Sequence, residues 1–163
     1  MRFLAEHRYV APIDAVTAVL VDPAFHRQLE LPDLELLEVV DSHTDGNQSV
    51  LRLRYDFVGH LDPMARRLLG PGRRLTWVQD LRLDRASGAG RLSFEADADP
   101  RRLHGAADVV LAPDDGGTVR RLDGDLVVAV PLIGTTAERR IVPGLLRRLD
   151  IEAAALDERL RGP

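Results

Sequence analysis

Residues 141–160 read IVPGLLRRLDIEAAALDERL, and the spacing of their apolar side chains decides the fold. Apolar residues recur every three or four positions, which predicts one stripe along an amphipathic helix. The stripe consists of Ile141, Leu145, Leu149, Ala153, Leu156 and Leu160. Charged residues such as Arg147, Arg148 and Asp150 are predicted to lie mostly off it. We therefore expect a long C-terminal helix whose apolar side covers another layer.

Local signals predict where this helix begins and where it is disturbed. Thr135 and Glu138 have the spacing of a capping box, so the helix is expected to begin near residue 135. Pro143 lacks an amide hydrogen and its ring opposes the preceding turn, so a kink or break is expected near residue 142. The three alanines at 153–155 either leave room for a ligand or reflect the high helix propensity of alanine.

Upstream of the helix, alternating runs predict a sheet of about seven antiparallel strands. The clearest strand is Leu51–Phe57, in which odd positions are apolar or aromatic and even positions are charged. Residues 2–10 alternate in the same way. The remaining runs lie near 34–42, 73–84, 91–97, 103–112 and 118–130, with turn residues between most of them.

Three short helices are predicted between the strands. Apolar residues at helical spacing place two of them at 13–21 and 25–29, between the first two strands. A third, of one to two turns, is predicted at 62–70, with Met64, Leu68 and Leu69 on its apolar side. This third helix is a lid over a cavity, an anion contact through Arg66 and Arg67, or a solvated connector.

Composition excludes several functional classes. The chain has 163 residues, enough for one domain with its own core, and no cysteine, which excludes disulfides and thiolate chemistry. A net charge of -4 argues against a nucleic-acid partner. Because no leader-like or membrane-spanning apolar run occurs, we expect a soluble, cytoplasmic protein. The chain has 22 arginines and no lysine, which suggests a GC-rich bacterial genome.

The inward faces of the predicted strands hold the candidate site. Aromatic residues make up only 4% of the chain, yet six of the seven fall on these faces, which suits an apolar ligand held by a few polar groups. The candidate ligand-binding residues are His7, Tyr9, Leu53, Tyr55, Phe57, Trp77, Gln79 and Phe94 on strands and Leu145, Leu149 and Ala153 on the helix. Ordinary core packing explains the same pattern, because periodicity predicts burial but not volume.

The order of elements resembles that of the START-related, polyketide-cyclase-like (SRPBCC) superfamily. The strand Phe3–Pro12, which runs directly into a helix at Ile13, is similar to the start of those proteins. The segment Asp123–Gly134 resembles a bacterial branch known only as a domain of unknown function. The resemblance implies an α+β helix-grip domain over residues 1–163, in which a curved antiparallel sheet wraps around the C-terminal helix. Superfamily members include lipid and hormone binders, cyclases and cochaperones, so no catalytic residue is carried over.

These observations favour the binding of an apolar or amphipathic small molecule, lipid-like or aromatic, in a cavity between the sheet and the C-terminal helix. One alternative is a polyketide cyclase or aromatase that uses His7, Tyr9 or Tyr55. Another is a protein-interaction module, which requires a contiguous exposed apolar patch. We expect a monomer or a homodimer without stable membrane insertion.

A metal site has only weak support. The nearest approach to a ligand set is a group on neighbouring strands: His104, Asp108, Asp123 and Asp125. Their spacing matches no known ligand pattern, and the strand period sends two of the aspartates to a solvated face. No metal, cofactor or catalytic residue is therefore predicted.

Overall fold

The computed structural model describes residues 1–162, apart from the side chains of Met64 and Leu68. Of the apolar side predicted for the third short helix, it therefore describes only Leu69, which is partly buried. The strands are β1 (Arg2–Tyr9), β2 (Leu34–Asp45), β3 (Gln48–Phe57), β4 (Thr76–Asp84), β5 (Ala89–Ala96), β6 (Leu103–Asp114) and β7 (Gly117–Val128). The helices are α1 (Ile13–Leu20), α2 (Pro23–Gln28), α3 (Pro63–Leu69) and α4 (Gly134–Arg161).

The seven strands form one antiparallel sheet in the order β1-β7-β6-β5-β4-β3-β2. Strands β2 to β7 pair with their neighbours in sequence, and β1 returns to pair with β7. The register of β2 against β3 shifts twice, between Leu36 and Glu38 and between Val39 and Asp41. Such bulges bend a strand and increase its twist, which favours a curved sheet. The predicted α+β helix-grip fold is confirmed.

The main core lies between one face of the sheet and α4. The apolar side of α4 buries Val142, Leu149, Ala153 and Leu156, and the helix packs mainly on β1, β7 and α1. A smaller apolar cluster lies around Leu51, Leu53 and Tyr55 of β3. In both, alternate strand residues face inward, as the period of two predicts.

The α4 helix departs from the sequence prediction at two points. It runs unbroken from Gly134 to Arg161, so the helix does not break near residue 142, and the alternative of a kink there stays a prediction. Pro143 and Arg139 both lie on the exposed side, where water can satisfy the carbonyl that loses its bond. The capping box is also wrong, because the carboxylate of Glu138 accepts from the backbone N–H of Val128 at 2.9 Å and ties the helix to the end of β7. Within residues 1–162 no helix is long and apolar enough to span a bilayer.

The α3 helix is tied to the first half of α4. The Asp62 carboxylate accepts from the backbone N–H of Ala65 at 2.9 Å, which caps the helix at the predicted position. The same carboxylate forms an ion pair with Arg140 of α4. This contact holds α3 beside the N-terminal part of α4, and its role as lid, anion contact or connector stays a prediction.

Candidate ligand-binding site

The eleven predicted site residues are all at least partly buried. Six are buried: Tyr9, Leu53, Tyr55, Gln79, Leu149 and Ala153. Five keep some exposure: His7, Phe57, Trp77, Phe94 and Leu145. The aromatic rings of Tyr55 and Trp77, on paired strands, stack with their centroids 5.9 Å apart.

A charged group lies in the interior, where the sequence predicts only apolar contacts from α4. Arg120 of β7 donates from Nη1 to Glu152 Oε1 of α4 at 2.7 Å, and these side chains are only 3% and 6% exposed. Nη2 of Arg148 lies 4.0 Å from Glu152 Oε2. We call Arg120, Arg148 and Glu152 the interior cluster. The prediction that Arg148 lies off the apolar stripe is therefore wrong, since its side chain is 7% exposed.

The sequence contains a signal for this cluster that the apolar stripe conceals. Arg148 and Glu152 are four residues apart on α4, so they share one helix face and flank Leu149. In β7, Arg120 has the same parity as Leu122 and Leu126, which are buried, so strand alternation also turns Arg120 inward. Periodicity alone thus places these charged residues beside buried ones, but it does not show that the two faces meet.

Two of the predicted polar groups hold the arginines in place. Nη2 of Arg120 lies 3.2 Å from Nδ1 of His7, and Nε2 of His7 lies 3.0 Å from the Asp150 carboxylate. An arginine can only donate, so Nδ1 of His7 accepts and Nε2 carries the hydrogen. Burial and the charge of Arg120 both lower the pKa of His7. On the other side, Nη1 of Arg148 donates to the amide oxygen of Gln79.

The two buried tyrosines lie against the guanidinium groups. The guanidinium carbon of Arg148 is 4.7 Å from the ring centroid of Tyr55, and that of Arg120 is 5.8 Å from the centroid of Tyr9. Both distances fit cation–π contacts. Burial raises the pKa of Tyr9 to about 12 and also raises that of Tyr55, although the neighbouring arginines oppose the change. Both phenols therefore keep their protons at neutral pH.

The interior cluster carries two guanidinium groups and one carboxylate. Burial raises the pKa of Glu152, but the charges of Arg120 and Arg148 outweigh this effect and bring it to about 2. The carboxylate is thus ionised at neutral pH, and the cluster has a net charge of about +1. An excess charge away from water is costly unless another group compensates it.

Several donors of this region lack an acceptor. Among the described residues, the polar atoms of the two arginines and two tyrosines that are buried without a hydrogen-bond partner are Tyr9 Oη, Tyr55 Oη, Arg120 Nε, Arg148 Nε and Arg148 Nη2. Every one of them carries a hydrogen to donate. An added acceptor would therefore satisfy these five atoms.

An open groove of about 550 Å³ lies between α2 and the C-terminal half of α4. Phe25 of α2 and Leu29, the C-cap residue of that helix, face Ile151 and Ala155 of α4 across the groove. Glu158 adds a negative charge to the groove wall. The Phe25 ring packs edge-on against that of His26, with centroids 5.1 Å apart. His26 is buried, and this burial lowers its pKa, although the negative charge of Glu152 opposes the change.

The cyclase, interaction-module and metal-site hypotheses each depend on particular side chains, whose positions are as follows. Within the hydrogen bonds of the described residues, none joins His7, Tyr9 and Tyr55 to one another. The large apolar side chains exposed among the described residues are Met1, Leu4 and Val10 on or next to β1, Leu37 on β2, Val110 on β6, and Val58 and Leu132 in loops. Asp108 and Asp123 pair with arginines on the outer sheet face, and the part of the chain that the structure describes holds no metal-binding group of three or more suitable side chains.

Sequence comparison assigns the chain to a family. The profile of a family described as "Protein of unknown function (DUF2505)" matches residues 5–160, which is nearly the whole chain. The chain belongs to this DUF2505 family. No curated protein sequence matches it.

Solved structures share the fold at low sequence identity. TTHA0849 from Thermus thermophilus has a TM-score of 0.68 at 19% identity, over 99% of this chain and 97% of that one. The Zhui aromatase/cyclase from Streptomyces sp. R1128 has a TM-score of 0.64 at 18% identity, over 99% and 93%. Ara h 8.0201 has a TM-score of 0.63 at 12% identity, over 100% and 99%. At these identities the likeness shows the fold of this DUF2505 protein and leaves its activity open.

Proposed function

We propose that this DUF2505 protein binds an apolar or amphipathic small molecule, lipid-like or aromatic, between the sheet and α4. The observation that carries the proposal is the interior cluster, whose unpartnered donors lie within an apolar core. Small-molecule sites combine mostly apolar walls with a few polar groups that fix orientation. The eleven predicted site residues supply both kinds of group.

In this proposal, apolar residues drive binding and polar residues orient the ligand. Leu145, Leu149 and Ala153 of α4 and Phe94 of β5 belong to the main core or pack against it, so they offer apolar surface to a ligand. Burial of such surface contributes about 25 cal/mol per Å² and would drive binding. Gln79 and Tyr55 would set the orientation. The groove beside α2 would give access from solvent.

The proposal also covers the domain organisation, the location, the source and the oligomeric state of the protein. The chain would act as a single cytoplasmic helix-grip domain of the START-related superfamily, from a bacterium, as a monomer or homodimer without a nucleic-acid partner. The name of the Zhui structure refers to an aromatase/cyclase, and that protein shares only the fold with this chain. The cyclase hypothesis therefore gains no better support than ligand binding.

A ligand screen with two matched variants tests the proposal. Saturating fatty acids, sterols and aromatic polyketides are added to the wild type, to Ala153→Leu and to Ala154→Leu, and the melting temperature is measured. Ala153 is buried, whereas its neighbour Ala154 is exposed, so the two variants add the same volume to a buried and to an exposed position of α4.

A ligand at one hundred times its Kd stabilises the wild type by about 2.7 kcal/mol, or roughly 5–10 °C. We expect this shift to persist in Ala154→Leu and to be lost in folded Ala153→Leu, where the added side chain takes the ligand's space. If no compound shifts the wild type, or if both variants bind as well as the wild type, the proposal is wrong.

A further inference from the structure

We propose that the ligand is an amphipathic carboxylic acid whose carboxylate lies against Arg148 and Tyr55. This inference rests on the proposed function and names the chemical class of the ligand. It follows from the unused hydrogen-bonding edge of Arg148, from the net charge of the interior cluster and from the position of the Tyr55 hydroxyl.

The first step is the hydrogen bonding of Arg148. Its Nη1 donates to Gln79, while Nε has no partner and Nη2 lies 4.0 Å from Glu152, beyond hydrogen-bond distance. Nε and Nη2 form one edge of the planar guanidinium, with two parallel N–H groups. This edge of Arg148, in a side chain only 7% exposed, is therefore unpaired.

The same edge of other arginines in this protein binds carboxylates. Arg82 donates from Nε and Nη2 to the two oxygens of Asp80, both at 3.0 Å. Arg2 uses the same two nitrogens toward Asp123. A bidentate carboxylate is the partner that this planar edge fits best. Within the described residues, the edge of Arg148 differs from these two in being buried and unoccupied by a side chain.

Charge favours an anion over a neutral acceptor. The interior cluster has two positive groups and one negative group, and Glu152 remains ionised at neutral pH. One carboxylate would bring the cluster to neutrality. A neutral hydroxyl or ketone would fill one donor and leave the excess charge.

Tyr55 supplies a third donor and an apolar wall. Its ring lies under the guanidinium of Arg148, and its hydroxyl is buried without a partner. Because burial raises the pKa of Tyr55, the phenol keeps its hydrogen and can donate it to an anion. Gln79 accepts the hydrogen bond from Nη1 of Arg148 and so fixes the rotation of the Arg148 guanidinium group. Gln79 is therefore a positioning residue.

The test compares acids with neutral molecules of the same shape. Binding of hexadecanoic acid and hexadecanol, and of 2-naphthoic acid and 2-naphthamide, is measured by calorimetry for the wild type and for Arg148→Met. Arg147→Met is the matched control, because Arg147 is the less buried neighbour on the same helix and loses the same charge. Circular dichroism establishes that each variant is folded.

We expect each acid to bind the wild type at least 10-fold more tightly than its neutral partner. Arg147→Met should keep this preference, and Arg148→Met should abolish it while the neutral compounds bind as before. If Arg148→Met does not fold, Tyr55→Phe replaces it: this variant removes only the unpartnered hydroxyl and should weaken the acids several-fold without affecting the neutral compounds.

The remaining outcomes separate the two proposals. Equal binding of acid and neutral partner would overturn the carboxylate inference and leave the proposed function standing. Binding of acetate or chloride with the same Arg148 dependence and affinity as the long acids would mean an adventitious ion only and would also overturn it. If none of the four probes binds the folded wild type, the carboxylate inference fails, whereas the proposed function fails only if no compound of the wider ligand screen binds.

Discussion

Two arginine–carboxylate pairs in this protein, one inside and one outside, differ mainly in their exposure to water. Arg120 and Glu152 meet at 2.7 Å with side chains 3% and 6% exposed, whereas Arg91 and Asp108 meet at 3.1 Å with side chains 62% and 76% exposed. The outer pair is hydrated and screened, so it contributes little. The inner pair has exchanged its hydration for partners, so removal of either partner leaves a buried charge uncompensated.

The balance of charge also differs between the two regions. On the outer sheet face, arginines pair across strands with carboxylates, as Arg2 does with Asp123 and Arg54 with Glu38. The interior cluster instead has one carboxylate for two arginines. On the surface, water and salt compensate an imbalance. In the core, such an imbalance is costly unless another group compensates it, and this cost is the basis of the proposal that the interior cluster binds a ligand.

The largest expected effect comes from neutralising the centre of the interior cluster. Glu152→Gln leaves two buried guanidinium groups without a carboxylate, and we expect the free energy of unfolding to fall by about 3–5 kcal/mol. Urea denaturation of the purified variant measures it. Asp108→Asn is the surface control and should change stability by no more than about 0.5 kcal/mol. Equal effects of the two substitutions would contradict the contrast between the pairs.

Acid should destabilise the interior, because Glu152, His7 and His26 all have lowered pKa values in the folded protein. The pKa of Glu152 is about 2 in the folded protein against an ordinary 4.5, so its contribution is complete above pH 4.5 and is lost as pH falls toward 2. The difference corresponds to a loss on the order of 3 kcal/mol. Burial also lowers the pKa values of His7 and His26, so stability should begin to fall below pH 6.5. Denaturation curves at pH 7, 5 and 3.5 measure this, and Glu152→Gln should show a smaller loss between pH 5 and 3.5.

Removal of an unpartnered interior hydroxyl should be nearly neutral for the ligand-free protein. Tyr55→Phe deletes a buried group that lacks a hydrogen bond, so we expect unchanged stability or a gain of about 1 kcal/mol. Thermal denaturation of ligand-free protein gives the value. A loss above about 1 kcal/mol would show that the hydroxyl already has a partner, such as water, and would weaken the assignment of this donor to a ligand.

The smallest effect is expected at the outer pair. A double-mutant cycle with Arg91→Ala and Asp108→Ala should give a coupling energy of about 0.2–1 kcal/mol at low salt. Because the pair is exposed, salt at about 1 M should largely remove the coupling. A coupling above about 2 kcal/mol that persists in high salt would mean that outer pairs also determine stability, and the comparison between the two regions would no longer hold.

The sheet could be predicted from the sequence because alternation is a local signal. Leu51–Phe57 falls within β3, and the turns near Gly46 and Gly116 separate strands as predicted. The sequence prediction misplaces Arg148 because charge ordinarily indicates exposure, although a position next to Leu149 allows burial once a partner exists. The groups that accompany Arg148 inside come from Arg120 on β7 and Gln79 on β4. Helical periodicity does not show which side chains of distant strands face the helix. The interior cluster could therefore be recognised only from the tertiary structure.

The most direct test is an NMR titration that observes the arginine side chains. Hexadecanoic acid is added to ¹⁵N-labelled protein, and the Nε–H signals of Arg148 and Arg91 are followed with the backbone amides. We predict a large shift of the Arg148 signal, together with amides of β4 and the middle of α4, while the Arg91 signal stays in place. No change at Arg148 on saturation, or changes confined to the outer sheet face, would contradict the account.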